Sequence, residues 1–199
     1  MVEGQEDVSW EQWVALAQAA EEARLDGLFR SDHLRSIVRG DPAGSLDAWG
    51  TLAGLAAITQ TIRLGTLVSP ATFRRVSILA KLVTTVDHIS NGRVELGLGA
   101  GWYESEHHAY GLDFMTTRER LDELDRQLAE VTRQWTEADD IWPKPIQQPR
   151  PPISGTVDQV VDQLREYERA GVERVMLQHL AHEDAEMVTV LGEVAARLP

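Results

Sequence analysis

Apolar residues recur along the chain in two alternating rhythms. Helical spacing predicts helices at residues 9–24, 45–58, 77–89, 116–135, 156–170 and 187–198. Short apolar runs between them, centred on Leu28, Leu64, Leu96 and Val175, predict buried strands. Alternating strands and helices at intervals of about 30 residues indicate βα units, whose crossovers are right-handed and whose sheet is parallel. We therefore expect an α/β protein, either a barrel or a doubly wound sheet.

Capping residues mark where several of these helices begin and end. Ser9 with Gln12, and Thr116 with Glu119, form capping boxes, and Ser45 is the expected N-cap of the second helix. Asn91 followed by glycine predicts a left-handed end to the third helix. Helical spacing also predicts buried side chains in the first three helices, among them Leu16, Ile58 and Ile78.

The stretch Gly92–Gly111 is the best candidate for a ligand site. It begins as a strand and then turns at Gly99, Ala100 and Gly101, small residues that let a ligand approach the backbone. In parallel α/β proteins ligands bind beyond the carboxyl ends of the strands. The alternative is a corner that needs small residues for packing alone. A third glycine at the spacing of a dinucleotide fingerprint is absent, which argues against that kind of site.

Composition limits the classes of protein that fit. The chain has 199 residues, 43% of them hydrophobic, which favours one globular domain. Cysteine is absent, and no apolar run approaches the roughly 18 residues of a membrane span, so we expect a cytoplasmic protein without membrane contact. The net charge of −13 argues against nucleic-acid binding.

Asp32 and His33 follow a predicted strand, where a histidine can hold or transfer a proton near neutral pH. Adjacent strand residues point to opposite faces, so the two side chains need not touch. The alternative, favoured by spacing alone, is a capping pair in a solvated loop. Arg74 and Arg75 follow the next strand and either meet an anionic cofactor tail or form a plain surface pair.

A group of acidic and histidine residues follows the glycine corner, and it could suggest a metal site: Glu104, Glu106, His107 and His108. The His-Glu-x-x-His spacing of helical zinc sites is missing, so a solvated loop is the better interpretation. The same caution applies to His179 and His182 after the last predicted strand.

Three segments resemble the bacterial luciferase-like monooxygenase superfamily, and most resemble its branch that uses the deazaflavin coenzyme F-420. They are residues 27–33, 62–74 and 80–104. The resemblance implies a TIM-type (β/α)8 barrel, often a homodimer, that positions the cofactor ring at the carboxyl ends of its strands. It implies an oxidoreductase acting on a small organic substrate with coenzyme F-420, or with FMN as the alternative.

The resemblance also implies roles for particular residues. His33 matches a proton donor or base beside the ring, and Asp32 matches its cofactor-binding neighbour. A bulge with a non-proline cis peptide bond, at Leu67–Val68, is expected to back the ring. The cofactor-contacting set is completed by Thr66, Leu67, Val68 and Ser69 on one strand, and by Gly99, Ala100 and Gly101 on the next.

Two departures from the family pattern bear on function. Trp102 occupies the position where some deazaflavin-dependent sugar-phosphate dehydrogenases have a catalytic glutamate, so that chemistry does not carry over. We expect residues 1–199 to form a single, incomplete barrel, with segments missing relative to the family near 1/2, 140/141 and 153/154. The alternative function is therefore a non-catalytic cofactor-binding or structural homologue.

Overall fold

A computed structural model describes residues 1–39, 44–146, 156–169 and 185–198 of the chain. The chain separates into two compact units, Met1–Pro149 and Arg150–Pro199. Each unit is described by itself. The prediction of a single barrel domain over residues 1–199 stays a prediction.

The first unit alternates helices and short strands in the predicted order. Its helices are α1 (Trp10–Glu22), α2 (Ala48–Ile58), α3 (Val76–Ser90), α4 (Glu104–Tyr110) and α5 (Thr117–Thr132), the last continuing into a π-helical turn at Arg133–Glu137. Its strands are β1 (Gly27–Arg30), β2 (Arg63–Thr66), β3 (Ser69–Pro70), β4 (Val94–Glu95) and β5 (Leu98–Gly99). Helix α4 was not predicted, because a seven-residue helix offers too few turns for an apolar stripe.

The strands pair in parallel, as the βα spacing predicts. The order is β1-β2-β4, with Leu64 opposite both Leu28 and Val94, and β3 pairs with β5 through Ser69 and Leu98. Val2 forms a single parallel bridge to Arg30, so one residue stands where relatives were expected to have a full first strand. The parallel α/β architecture is confirmed, and its partial sheet is that of an incomplete barrel.

The core lies between the sheet and α1, α2 and α3. Its largest members are fully or almost fully buried, and they are Trp13, Trp49, Leu52, Leu55, Ile62, Leu64 and Leu79. Three side chains expected in the core, Leu16, Ile58 and Ile78, are instead exposed. Leu16 and Ile58 lie at the edges of their helices' apolar stripes, where helical spacing does not distinguish a buried position from its exposed neighbour. Ile78 lies on the face of α3 opposite the buried residues of that helix.

The capping predictions are confirmed at three helix ends and wrong at one. Ser9 and Thr116 form the expected capping boxes, and Asn91 ends α3 with φ 58°. Helix α2 begins two residues later than expected, because the Asp47 carboxylate, rather than the Ser45 hydroxyl, accepts the Gly50 backbone N–H at 2.8 Å.

The second unit contains α6 (Val157–Arg169) and α7 (Ala185–Ala196). Val161 and Leu164 of α6 pack with Val194 of α7 in a small separate core. The predicted strand at 172–179, with His179 and His182, lies outside the described residues. In the part of the chain that the structure describes, no helix has the length and apolar character needed to cross a membrane.

Candidate active site

The chain turns sharply between β2 and β3, and the predicted cis peptide bond is present at Leu67–Val68. Leu67 is 51% exposed and Val68 is 37% exposed, although both neighbours in sequence are buried. The Thr66 hydroxyl donates to the Gly97 carbonyl at 3.0 Å, which holds the end of β2 against the β4–β5 segment. Two apolar side chains are thereby displayed at the carboxyl end of β2.

The glycine corner after β5 is required by packing within the protein. A Cβ added to Gly99 would collide with the Val68 side chain, and one added to Gly101 would lie 2.7 Å from the Thr72 hydroxyl. Gly101 also has a φ of 79°, a backbone angle that residues with a side chain rarely adopt. Packing alone therefore explains why residues 99 and 101 are glycines. A ligand that approaches the backbone is not required to explain them. Ala100 is buried beside them.

Asp32 belongs to a closed polar network. One oxygen of its buried carboxylate accepts from the Ser69 hydroxyl at 2.6 Å and from Arg74 at 2.6 Å, and the other accepts from Arg74 at 3.2 Å. The Trp49 indole N–H donates to the Ser69 oxygen at 3.0 Å. Asp32, Ser69 and Thr66 are each at most 1% exposed, so in this arrangement their side chains support the site without facing a ligand.

Arg74 joins this network to α2. Its guanidinium also donates to Asp47 at 2.6 Å. Burial alone would lower the pKa of Arg74, but Asp32 and Asp47 together raise it. Burial alone would raise the pKa of Asp47, but the Gly50 backbone N–H and the Arg74 guanidinium lower it. The surface-pair interpretation of Arg74 and Arg75 is wrong for Arg74, whose charge is committed to two carboxylates.

His33 forms a different kind of pair, with one side open. Its Nδ1 lies 2.8 Å from Oε1 of Glu106, and the other oxygen of Glu106 accepts the Leu34 backbone N–H at 2.9 Å. The His33 side chain is 13% exposed, whereas that of Glu106 is 1% exposed. A carboxylate at Nδ1 orients the ring with the proton on Nδ1, leaving Nε2 to accept or donate a proton. Within the described residues, Nε2 makes no hydrogen bond.

Helix α4 carries Glu106 into this pair, so the prediction of a solvated loop at 104–108 is wrong. The next residue, His107, is fully buried, and its Nδ1 donates to the Tyr103 carbonyl at 2.8 Å. With that proton on Nδ1, Nε2 accepts from the Thr72 hydroxyl at 2.7 Å. His107 therefore anchors α4 to the segment after β3 while Glu106 reaches His33.

From the sequence, Glu106 was considered only as a possible metal ligand, and its role as the partner of His33 was missed. It lies 73 positions from His33, and only the fold brings the two together. Asp32 and His33 have separate partners, as the alternation of strand residues predicted, and neither belongs to a solvated capping pair. Among the described residues, no group of three or more acidic or histidine side chains could hold a metal ion.

An exposed aromatic ring borders His33. The Trp102 ring centroid lies 5.9 Å from that of His33 at 79°, and Trp102 is 62% exposed. Tyr103 lies 5.3 Å from Trp102 and 6.3 Å from His33. The His33 ring is therefore flanked by aromatic carbon.

Parallel βα units with polar side chains at the carboxyl ends of the strands are typical of α/β-barrel proteins, whose sites lie at that end. A comparison with family models makes the class specific. Residues 2–154 match the model of the luciferase-like monooxygenase family. The chain belongs to this family, whose members include oxidoreductases that use coenzyme F-420 or a flavin.

Curated relatives resemble only part of the chain. An uncharacterized protein of Mycobacterium tuberculosis is 33% identical over 125 residues, which is 56% of this chain and 43% of that protein. The F-420-dependent glucose-6-phosphate dehydrogenase of Amycolatopsis mediterranei is 33% identical over 125 residues, or 62% of this chain and 37% of that enzyme. The chain thus spans less than half the length of these relatives.

Solved structures confirm the fold. An F-420-dependent secondary alcohol dehydrogenase, in complex with an F-420–acetone adduct, superimposes with a TM-score of 0.61 at 23% identity, covering 67% of this chain and 40% of that one. The monooxygenase RslO1 from Streptomyces bottropensis gives a TM-score of 0.61 at 22% identity and covers 98% of this chain and 74% of that one. At these identities the likeness establishes the architecture alone.

Proposed function

We propose that the protein is an oxidoreductase that exchanges a hydride between a deazaflavin or flavin and a small organic substrate, with His33 managing the proton. The observation that carries the proposal is the His33–Glu106 pair, 2.8 Å apart, in which the other ring nitrogen of His33 has no hydrogen-bond partner among the residues that the structure describes. An imidazole held in this way is poised for general acid–base work. A histidine with a purely structural role would be expected to have both ring nitrogens bonded, as His107 has.

The residues at the end of β2 fit a flat, largely apolar ring. Leu67 and Val68 offer exposed apolar surface there, and Val68 packs over Gly99 on the neighbouring strand. Asp32 ties this segment to the strand that bears His33, because it accepts from the Ser69 hydroxyl directly after the cis bond. Leu67 and Val68 would hold the ring, while Asp32, Thr66 and Ser69 hold the backbone behind it.

When bound, the cofactor ring supplies the hydride chemistry, and the protein supplies position and proton transfer. If the substrate is an alcohol, the bound ring would accept the hydride from its carbon. Nε2 of His33 would take up the hydroxyl proton, and a carbonyl product would remain. In the reverse direction, protonated His33 gives that proton to the carbonyl oxygen. Glu106 keeps Nδ1 protonated throughout.

Coenzyme F-420 is the favoured cofactor and FMN is the alternative, including flavin-dependent monooxygenation. Support for F-420 comes from the similarity to the glucose-6-phosphate dehydrogenase named above. Support for a flavin comes from the trigonelline monooxygenase of Acinetobacter baylyi, 27% identical over 155 residues, which is 72% of this chain and 42% of that one. A cytoplasmic homodimer remains our prediction. Size-exclusion chromatography with light scattering would test the dimer.

Cofactor titration with matched variants tests the proposal. The purified protein is titrated with coenzyme F-420 and with FMN by fluorescence, and turnover of a panel of alcohols is compared with that of His33→Ala and His108→Ala. His33→Ala should keep the cofactor affinity within about threefold and lose about 10²- to 10⁴-fold in turnover. The exposed His108, on the same helix as Glu106, should be replaceable without effect.

Two results would contradict the proposal. If neither cofactor binds, both the enzyme and the non-catalytic cofactor-binding homologue are ruled out. If a cofactor binds but no substrate turns over, and His33→Ala changes nothing, the non-catalytic homologue is the better description.

A further inference from the structure

The His33 ring is flanked by an aromatic wall, which we define as Trp102 and Tyr103. The rings of these two residues are tilted by 36° to each other, and each meets His33 nearly edge to face. The Trp102 indole is 62% exposed, and covering it would be favourable, because burying aromatic surface removes it from water. A molecule that exchanges a proton with His33 would lie close to this wall.

The cations near His33 are already committed to protein groups. Arg74 is paired with two carboxylates, Asp32 and Asp47. Arg120 donates to backbone carbonyls, and Arg35 donates to the Ser105 hydroxyl at 3.1 Å. Phosphate recognition depends on charge-assisted hydrogen bonds from available cations. Within the described residues, each of these three guanidinium groups therefore already has an acceptor in the protein, and that of Arg74 is neutralised.

Two carboxylates lie in the same neighbourhood. Glu106 contacts His33 directly, and Glu104 lies two residues after Trp102 on the exposed face of α4. The chain as a whole has a net charge of −13. An anionic substrate would be repelled by this excess of negative charge during its approach. A neutral substrate avoids this cost.

From this juxtaposition we infer that the substrate is an uncharged alcohol or carbonyl compound with an aromatic or bulky apolar substituent, which packs on Trp102 and Tyr103 while its oxygen meets Nε2 of His33. The inference rests on the proposed function for the reaction, but the wall itself is a binding site that can be tested without turnover. Trp102 is thus a specificity-determining residue.

The test compares neutral and anionic probes on matched variants. Binding of benzyl alcohol and of glucose 6-phosphate is measured by saturation-transfer NMR, with and without cofactor, on the wild type and on Trp102→Ala, Trp102→Phe and Trp142→Ala. Trp142 is a comparably exposed tryptophan on another segment and serves as the control. Benzyl alcohol should bind in preference to glucose 6-phosphate. Trp102→Ala should weaken its binding about tenfold, Trp102→Phe by less than about threefold, and Trp142→Ala should have no effect.

The outcomes separate the inference from the proposed function. Tighter binding of glucose 6-phosphate, or benzyl alcohol binding that is indifferent to Trp102→Ala, overturns the inference. If neither cofactor binds while benzyl alcohol binds in a Trp102-dependent manner, the proposed redox function fails and the aromatic site stands.

Discussion

Asp32 and His33 are neighbours in sequence, yet they belong to two regions of opposite character. Asp32 lies in the closed network, which we define as Asp32, Ser69, Arg74, Asp47 and Trp49, where both carboxylate oxygens have donors. His33 belongs to the open pair with Glu106, where one ring nitrogen has a carboxylate and the other has no hydrogen-bond partner among the described residues. A saturated buried network contributes rigidity, and a half-satisfied pair contributes reactivity.

Removing the central charge of the closed network should have the largest effect. Asp32→Ala leaves Arg74 buried without its main partner, and we expect a loss of about 3–5 kcal/mol in the free energy of unfolding. Asp47→Ala, which removes the exposed partner of Arg74 and the α2 cap, should cost only about 1–2 kcal/mol. Urea denaturation followed by circular dichroism measures both. Equal losses would mean that the network is not organised around Asp32.

The open pair should respond in activity rather than in stability. Glu106→Gln keeps the shape but no longer fixes the proton on Nδ1 of His33, so turnover should fall about 10²-fold, or roughly 2.7 kcal/mol. Steady-state kinetics with saturating cofactor, together with the cofactor dissociation constant, measures this. A loss of cofactor binding with unchanged turnover would show that Glu106 is part of the cofactor site and does not position His33.

The anchor of α4 links the two regions, and weakening it should have an intermediate effect. Thr72→Val leaves Nε2 of the buried His107 without a donor, which should cost about 1–3 kcal/mol of stability and a few-fold of turnover. Thr72→Ser, which keeps the hydroxyl, is the control. Should both variants behave alike, the hydrogen bond does not position α4.

A carboxylate at the opposite, amino-terminal end of the strands provides the smallest and most pH-dependent test. Burial alone would raise the pKa of Glu21, but hydrogen bonds from residues 60–62 lower this pKa from 4.5 to about 2. Its stabilisation should be fully present above pH 4.5 and be lost as the pH falls towards 2. Glu21→Gln should therefore cost about 1–2 kcal/mol at pH 7 and almost nothing near pH 2, in parallel denaturation series. A cost independent of pH would contradict this.

Periodicity and capping residues were enough to predict most of the secondary structure and the parallel sheet. Capping boxes depend on atoms three residues apart, so Ser9 and Thr116 could be assigned locally. Burial at the edge of a stripe depends on what packs across it, and for that reason Leu16 and Ile58 were misplaced. The resemblance to a known family identified the cis bond at Leu67–Val68, which no periodicity indicates.

The sequence by itself determined the order of βα units, the family, and the position of His33 at the carboxyl end of a strand, because these depend on local spacing and on matching motifs. The tertiary structure alone decided which partners the candidate residues have. In the folded chain the buried Asp32 accepts hydrogen bonds from Ser69 and Arg74. Glu106 accepts one from Leu34, 72 residues away in sequence, and contacts the adjacent His33. Contacts between residues so far apart are set by the packing of whole elements, and no local pattern records them.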